Sequence, residues 1–484
     1  MLALTLLACS DPTLTTSPDA QPDIVLVLTS GLREDTAPGG ATTQLIAATG
    51  VPPGQRFTAA YSQTVQPYIA MGSLLTGHYP SAIPLCSRPA RVGPDRPEPF
   101  CVTLPEEKPT MAEVLSLYGY RTAMITVDAS ALAPLARGFQ ETISVGGGTL
   151  ETAWSDASQA ASAWWRASEG HPRLLVVAGQ LHTKTLEGAG SVAHTTMAMT
   201  EAEQADYLSQ NPWFNERISD TMSWPIVTEA SRELVREAYE DTAQRVGAQV
   251  KGLLGGLAWS RPRWTVLTAL HGLTLGEDTG CRSPEQLRVN SHIVLLDRTL
   301  RVPLLVYGPT PAARTERIEA PVELVDLMPT FTALAGAVAP AGLPGADLRA
   351  PADPEGVAYS EFGDMLSLRH RGTMLTFRSQ VHGITSADPR LTARLLKSAP
   401  MSLTGETSRR MTPGRADYYE YLMHEVVGDP LQAAALPVGE DSDRFMEMVA
   451  LLLERRSGLA APPTGALTWE EVQDLRREGA LHYW

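Results

Sequence analysis

Hydrophobic and polar positions follow two regimes along this chain. Short, largely apolar runs recur at residues 22–30 (PDIVLVLTS), 120–127 (YRTAMITV), 173–178 (RLLVVA), 264–270 (WTVLTAL) and 302–307 (VPLLVY). Runs this short, without a regularly polar side, predict strands buried on both faces, as in a parallel sheet. Residues 57–62 read as a further short extended stretch. Between the runs the spacing turns helical. Residues 41–50 end on a glycine, and 109–119 carry Thr110 as N-cap with Glu113 three positions on. Residues 153–168 follow the same period. The longest such stretch is 230–257, with Leu234, Tyr239, Val246, Val250, Leu253 and Leu254 recurring at helical spacing. Residues 322–335 predict one more helix, stopped by Gly336. The segment 183–225 is polar with little periodicity and reads as an insertion over one end of the sheet.

Strands alternating with helices over this length predict an α/β fold, a large central, mostly parallel sheet flanked by helices on both faces. From residue 357 the pattern changes to short strand-like pieces (VAYSEF, TMLTFR, QVHGI) followed by acidic and helical material, a smaller C-terminal α+β part. The expected organisation is a lipoprotein-type signal at 1–9, a tether at 10–21, the α/β domain at 22–356 and the smaller subdomain at 357–484.

Composition changes the picture only at the edges. A hydrophobic share of 43% with 19% charged residues excludes disorder as the main state. The net charge of -15, with only four lysines, argues against nucleic acid as a partner and gives mild repulsion from anionic membranes. Residues 2–8 are apolar apart from Thr5 and end in Leu6-Leu7-Ala8-Cys9, which is similar to a bacterial lipobox. Such a chain would be cut before Cys9 and acylated there, placing it in the bacterial cell envelope, periplasmic or surface-exposed, with the membrane touched through a lipid anchor only. The plainer alternative is a frayed apolar terminus with an incidental cysteine. Export permits a disulfide among Cys86, Cys101 and Cys281, with the pairing open.

Several blocks carry a resemblance, in order along the chain. They are PDIVLVLTSGLRED, SLLTGHYP at 73–80, TMAEVLSLYGYRTAMI, Arg137-Gly138-Phe139, AYEDTAQRVGAQVKGLLGGL, WTVLTALHGLTLGED, LRVPLLVYGP and APVELVDLMPTFTALAG. Together they resemble sulfatases and related alkaline-phosphatase-like hydrolases from about residue 22 to 361, with a weaker echo in YYEYL and GDP at 418–430. The resemblance implies hydrolysis of a sulfate or phosphate ester, by a divalent cation held on carboxylates and a Cys, Ser or Thr nucleophile steadied by an arginine.

The positions implied for that chemistry hold other residues. Ser30 and Gly31 stand at the first carboxylate position, Leu270 at the second, beside a surviving His271 and Gly272. Pro67, ten residues before Gly77, stands for the nucleophile and Met71 for the arginine. Glu34 and Asp35 lie near the first position, and Asp35 matches a structural aspartate of the family. Glu277 and Asp278 read as a solvated loop. Thr64 takes the nucleophile's place only through a three-residue shift. His182 and His292 fall near family histidine or lysine positions, and each reads equally as a surface histidine. His271 reads as a hydrogen-bonded relic. The scaffold blocks are kept while the reactive positions are emptied. This predicts a sulfatase-like pseudoenzyme with no catalytic residue and no cofactor, binding an unknown ligand or protein partner through groups such as Gln66 and Tyr68. The alternatives are an active sulfuric- or phosphoric-ester hydrolase or transferase with a rearranged site, using Ca or Mg, and a structural protein whose cleft is filled by Leu270 and Met71.

Overall fold

In the computed structural model the apolar runs form the middle of one large sheet. The structure describes residues 21–34, 40–51, 54–83, 85, 104–180, 226–227, 229–275, 287–288, 295–309, 315–362, 365–380, 418–427, 432, 436 and 442–457. Strand β1 (Asp23–Ser30) is buried along its whole length, which is what its continuous apolar run requires. The sheet is completed by β2 (Gln55–Tyr61), β3 (Arg121–Val127), β4 (Glu141–Val145), β5 (Arg173–Gln180), β7 (Arg263–Thr268), β9 (Arg301–Tyr307) and β10 (Glu316–Ile318). Their order is β10-β2-β9-β7-β1-β5-β3-β4, and β11 (Val322–Glu323) adds to β2. Every pairing is parallel except those of β9, which runs against β2 and β7. Two short strands, β6 (Ile226–Val227) and β8 (Leu287–Arg288), pair separately.

Two groups of helices cover the sheet. Helices α1 (Ala41–Thr49), α4 (Leu150–Ala167) and α5 (Glu229–Gly255) pack together, and α2 (Pro67–Thr76), α3 (Met111–Leu117) and α7 (Leu327–Leu334) form the other group. The expected start of α3 holds. Thr110 Oγ1 accepts from Glu113 N–H at 3.2 Å and Glu113 returns the bond to Thr110 N–H at 2.8 Å. Thr110 Oγ1 also donates to Arg137 O, and Arg137 reaches Leu104 O and Pro105 O. Two of the family-like blocks, TMAE and RGF, are thus halves of one packing joint. A short α6 (Asp297–Leu300) precedes β9.

From Ala358 the chain forms a second, antiparallel sheet, β12 (Ala358–Phe362), β13 (Met365–His370), β14 (Thr373–Gln380) and β15 (Tyr418–Glu425), joined to α8 (Ser442–Ser457). Hydrophobic clusters lie on both sides of it, one with Phe445, Met448, Val449 and Leu452 of α8, the other with Tyr61, Val65 and Leu300 of the large domain.

Two expectations are corrected. Residues 322–335 are not one helix. β11 comes first, then a 3₁₀ turn at Leu324–Asp326, and only then α7. Pro329 supplies the reason, since a proline is tolerated only in the first turn of a helix. The material after TMLTFR is not all helical, because 418–425 is a strand. The unforeseen β13 is joined to β14 by Arg371-Gly372, with φ of 43° and 82°, the two left-handed residues of a tight hairpin turn. Of QVHGI, only Gln380 falls in the described residues, in β14.

Candidate active site

At the carboxyl ends of its parallel strands the large sheet is tied together by a row of main-chain bonds. Gly31 N–H donates to His271 O at 3.0 Å, Gly272 N–H to Thr299 O at 2.8 Å, and Ser62 N–H to Leu300 O at 2.8 Å. Because β9 runs the other way, its start meets the ends of β7 and β2 here. Open α/β sheets bind ligands at this end. Tyr239 of α5 joins the row, its hydroxyl donating to Gly31 O and accepting from Arg33 N–H, both at 2.9 Å. The structure therefore brings together Ser30 and Gly31, Leu270 and His271, and the loop that leads to Thr64 and Pro67.

The side chains hung on this frame are mostly apolar or neutral. Leu270 and Met71 are fully buried members of the main hydrophobic cluster. Ser30 is 4% exposed, and among the described residues its hydroxyl has no partner. His271 is buried, with Nδ1 2.7 Å from Gly272 O, so that nitrogen carries the hydrogen. Gly272 is kept for a packing reason. A Cβ there would stand 2.1 Å from Arg298 O and 2.9 Å from Arg33 Cβ.

A hard divalent cation needs several oxygen ligands around one point. Ser30, Gly31, Leu270 and His271 offer one neutral hydroxyl and one imidazole, so they do not fit the cation that the fold implies. Among the described residues no group of three His, Cys, Asp or Glu side chains converges anywhere. Glu34 serves elsewhere. Buried beside Arg56, it accepts from that guanidinium at 2.5 and 3.2 Å.

Pro67 is the first residue of α2, with Gln66 as N-cap, a place where a missing N–H costs nothing. Thr64 is fully buried, and among the described residues its hydroxyl has no hydrogen-bond partner. Tyr68, one residue into the helix, is buried too, which pushes its hydroxyl pKa up to about 12. The loop itself is held by the second sheet. Ser360 Oγ donates to Ser62 O at 2.6 Å, Glu361 N–H donates to Gln63 O at 2.8 Å, and Ser62 Oγ donates to Thr64 O at 2.9 Å.

Sequence reasoning missed the polar junction behind this loop. Glu323 Oε2 accepts from Tyr79 OH at 2.7 Å and from Arg455 Nη2 at 3.2 Å, while Oε1 accepts from Tyr359 N–H at 2.9 Å. Glu361 accepts from Tyr359 OH, Ser81 N–H and Arg456 Nη1 at 2.7, 2.5 and 2.9 Å. Both glutamates are buried. Charged residues inside apolar runs, Glu323 in VELV and Arg455-Arg456 after LLLE, were the available signal. Cys9, Asp35, Cys86, Cys101, His182, the 183–225 segment, Glu277, Asp278, Cys281 and His292 lie outside the described residues.

No model of a known protein family matches the chain, and no curated protein does. Solved structures do match over nearly its whole length. The phosphonate monoester hydrolase of Agrobacterium radiobacter is 14% identical, with a TM-score of 0.58 over 90% of this chain and 95% of its own. A 2-O GAG sulfatase is 16% identical, with a TM-score of 0.56 over 95% and 94%. A third structure, solved with its substrate D-glucosamine-2-N,6-O-disulfate, is 14% identical, with a TM-score of 0.58 over 91% and 98%. At these identities the likeness is one of fold.

Proposed function

We propose that this chain, which has the sulfatase-like α/β fold of the alkaline-phosphatase-like superfamily, is a pseudoenzyme that binds a ligand or partner without hydrolysing an ester. One observation carries the reading. The two strand ends that in an active relative would bring carboxylates to a cation are joined here through Gly31 and His271, and the side chain between them, Leu270, belongs to the hydrophobic core. Restoring that chemistry would require a buried charge in place of a packed leucine. Pro67 and Met71 support the same reading, having no nucleophilic atom and no cation to steady one. The test is metal analysis of the purified protein together with sulfate- and phosphate-ester assays. No stoichiometric divalent ion and no turnover are expected, and a bound ion accompanied by turnover would overturn the proposal.

The apolar run ending at Cys9 supports a second part of the reading, a lipid-anchored protein of the bacterial cell envelope. Among the described residues no helix is long and apolar enough to cross a membrane. The unaltered chain is expected to take up labelled fatty acid and a Cys9→Ala chain is not. An unaltered chain without label refutes the anchor.

A further inference from the structure

We propose that the end of the large sheet opposite the candidate site is a membrane-contact face whose partner is a phospholipid bilayer surface. The choice of partner rests on the lipid-anchor reading; the face itself is a matter of geometry. The starts of β3, β5, β1 and β7 are fixed in one row, Arg121 N–H donating to Pro172 O and Asp23 N–H to Pro262 O, both at 2.8 Å. On the segments that feed these starts stand Leu117, 86% exposed, and Trp259, 55% exposed. Val338, 68% exposed, is beside the first of them, its N–H donating to Tyr118 OH at 3.0 Å. Single exposed apolar residues need no explanation, but grouping does. Of the five large hydrophobic side chains exposed among the described residues, these three share one end of one sheet. β3 and β7 are three places apart in the strand order, roughly 14 Å along the sheet, with Leu117 and Val338 at the end of one helix group and Trp259 after the last helix of the other.

The residues around it suit a lipid headgroup layer. Trp259 lies over the Arg263 guanidinium at 3.4 Å, which holds the ring in place, and tryptophan favours the boundary between water and lipid. Arg121 and Arg261 flank the row, with long stems and charged tips able to reach outward. Glu141 forms an ion pair with Arg121 at 3.9 Å, so this pair adds no net charge to the face.

What fixes the occupant is where the chain arrives. Gln21 sits on this same end, its Nε2 donating to Ala335 O at 3.0 Å and to Tyr118 O at 3.3 Å. Cys9 lies twelve residues before it, at most about 43 Å of extended chain. An acyl group on Cys9 would therefore keep this end within about 43 Å of the bilayer. One acyl chain alone gives marginal membrane residence, and an apolar face supplies a second attachment.

The experiment uses the full chain carrying Cys9→Ala, so that it reads the face without an acyl group. Flotation with neutral phosphatidylcholine vesicles is compared between this chain and one also carrying Leu117→Ser, Trp259→Ser and Val338→Ser. Vesicle binding that falls about tenfold or more in the serine variant, with circular dichroism unchanged and little dependence on salt, is the expected result. The residues are exposed, so folding should survive; the single Leu117→Ser variant, with a smaller drop, serves if the triple one does not fold. Equal binding by both chains, or none by either, overturns the proposal. A concentration-dependent dimer that the serine changes abolish would assign the face to a second copy and overturn it as well. Labelled fatty acid on the unaltered chain reads the anchor separately. Its absence sinks the anchor while leaving the vesicle comparison intact.

Discussion

At the scale of single residues, the candidate site is marked by the side chains that fill its space. Leu270 is as buried as any residue of β1, and it packs in the same cluster. Leu270→Asp should therefore destabilise the fold by about 4 kcal/mol or more, since it combines a lost apolar side chain with an unpaired buried carboxylate. Urea unfolding measures this. A variant that keeps its stability and gains a calcium-dependent rise in melting temperature would contradict the packed geometry. Which residues survive was legible in the sequence, but why they survive was not. Gly272 reads as half of a metal motif, whereas its place against the Arg298 carbonyl gives it a purely steric reason to stay. His271 reads as a relic, and its bond to the neighbouring carbonyl agrees with a hydrogen-bonded role.

At the scale of elements, the family-like blocks turn out to be joints. VELVDLMPT is three elements, and Asp326 holds them in sequence. Its Oδ2 accepts from Glu323 N–H at 2.8 Å and its Oδ1 from Ala346 N–H at 2.7 Å, on the far side of α7. Burial, and next the Glu323 charge, push the Asp326 pKa up to about 7, against these two N–H groups, which pull it down. An unfolded aspartate titrates near 3.9. As pH falls from about 7 towards 4, the folded protein takes up a proton that the unfolded chain does not, so this group's contribution to stability rises with acidity. The melting temperature of the unaltered chain should rise relative to that of Asp326→Asn from pH 8 to pH 5. A constant difference would remove Asp326 from the titration. Patterning found the elements whose apolar content is local, such as β1, α3 and α5. It failed where the deciding residue was a single one, Pro329 setting the start of α7 or Arg371-Gly372 turning β13 into β14. β15 was hidden because its partner β14 lies about forty residues away in sequence, and a period read in a short window carries no information about such pairings.

At the scale of the molecule, the second sheet is clamped to the large domain by two buried ionic junctions. One is the pair of glutamates beside Tyr79 and Tyr359. In the other, Asp297 Oδ1 accepts from Tyr61 OH at 2.8 Å and Oδ2 forms an ion pair with Arg301 at 2.8 Å, with Arg369 of β13 against the same tyrosine. Removing one partner from such a group leaves a charge stranded, so the arrangement makes the docked position of the sheet specific rather than merely favourable. Its consequence for the site is direct, because the loop from Ser62 to Thr64 takes its shape from β12. The fold class was legible from the α/β alternation and the collinear blocks. This docking was not, as it depends on charges placed far apart in the chain.

The row of main-chain bonds from Gly31 through His271, Gly272, Thr299 and Leu300 to Ser62 uses no side-chain atom. Most of its members keep their geometry whatever group is attached to the neighbouring Cα. The row therefore works as a mould that demands glycine at 31 and 272 but leaves Ser30, Leu270 and Pro67 as lettering on it rather than part of the casting. Chemistry can be erased from such a frame, or written into it, without renegotiating the path of the backbone.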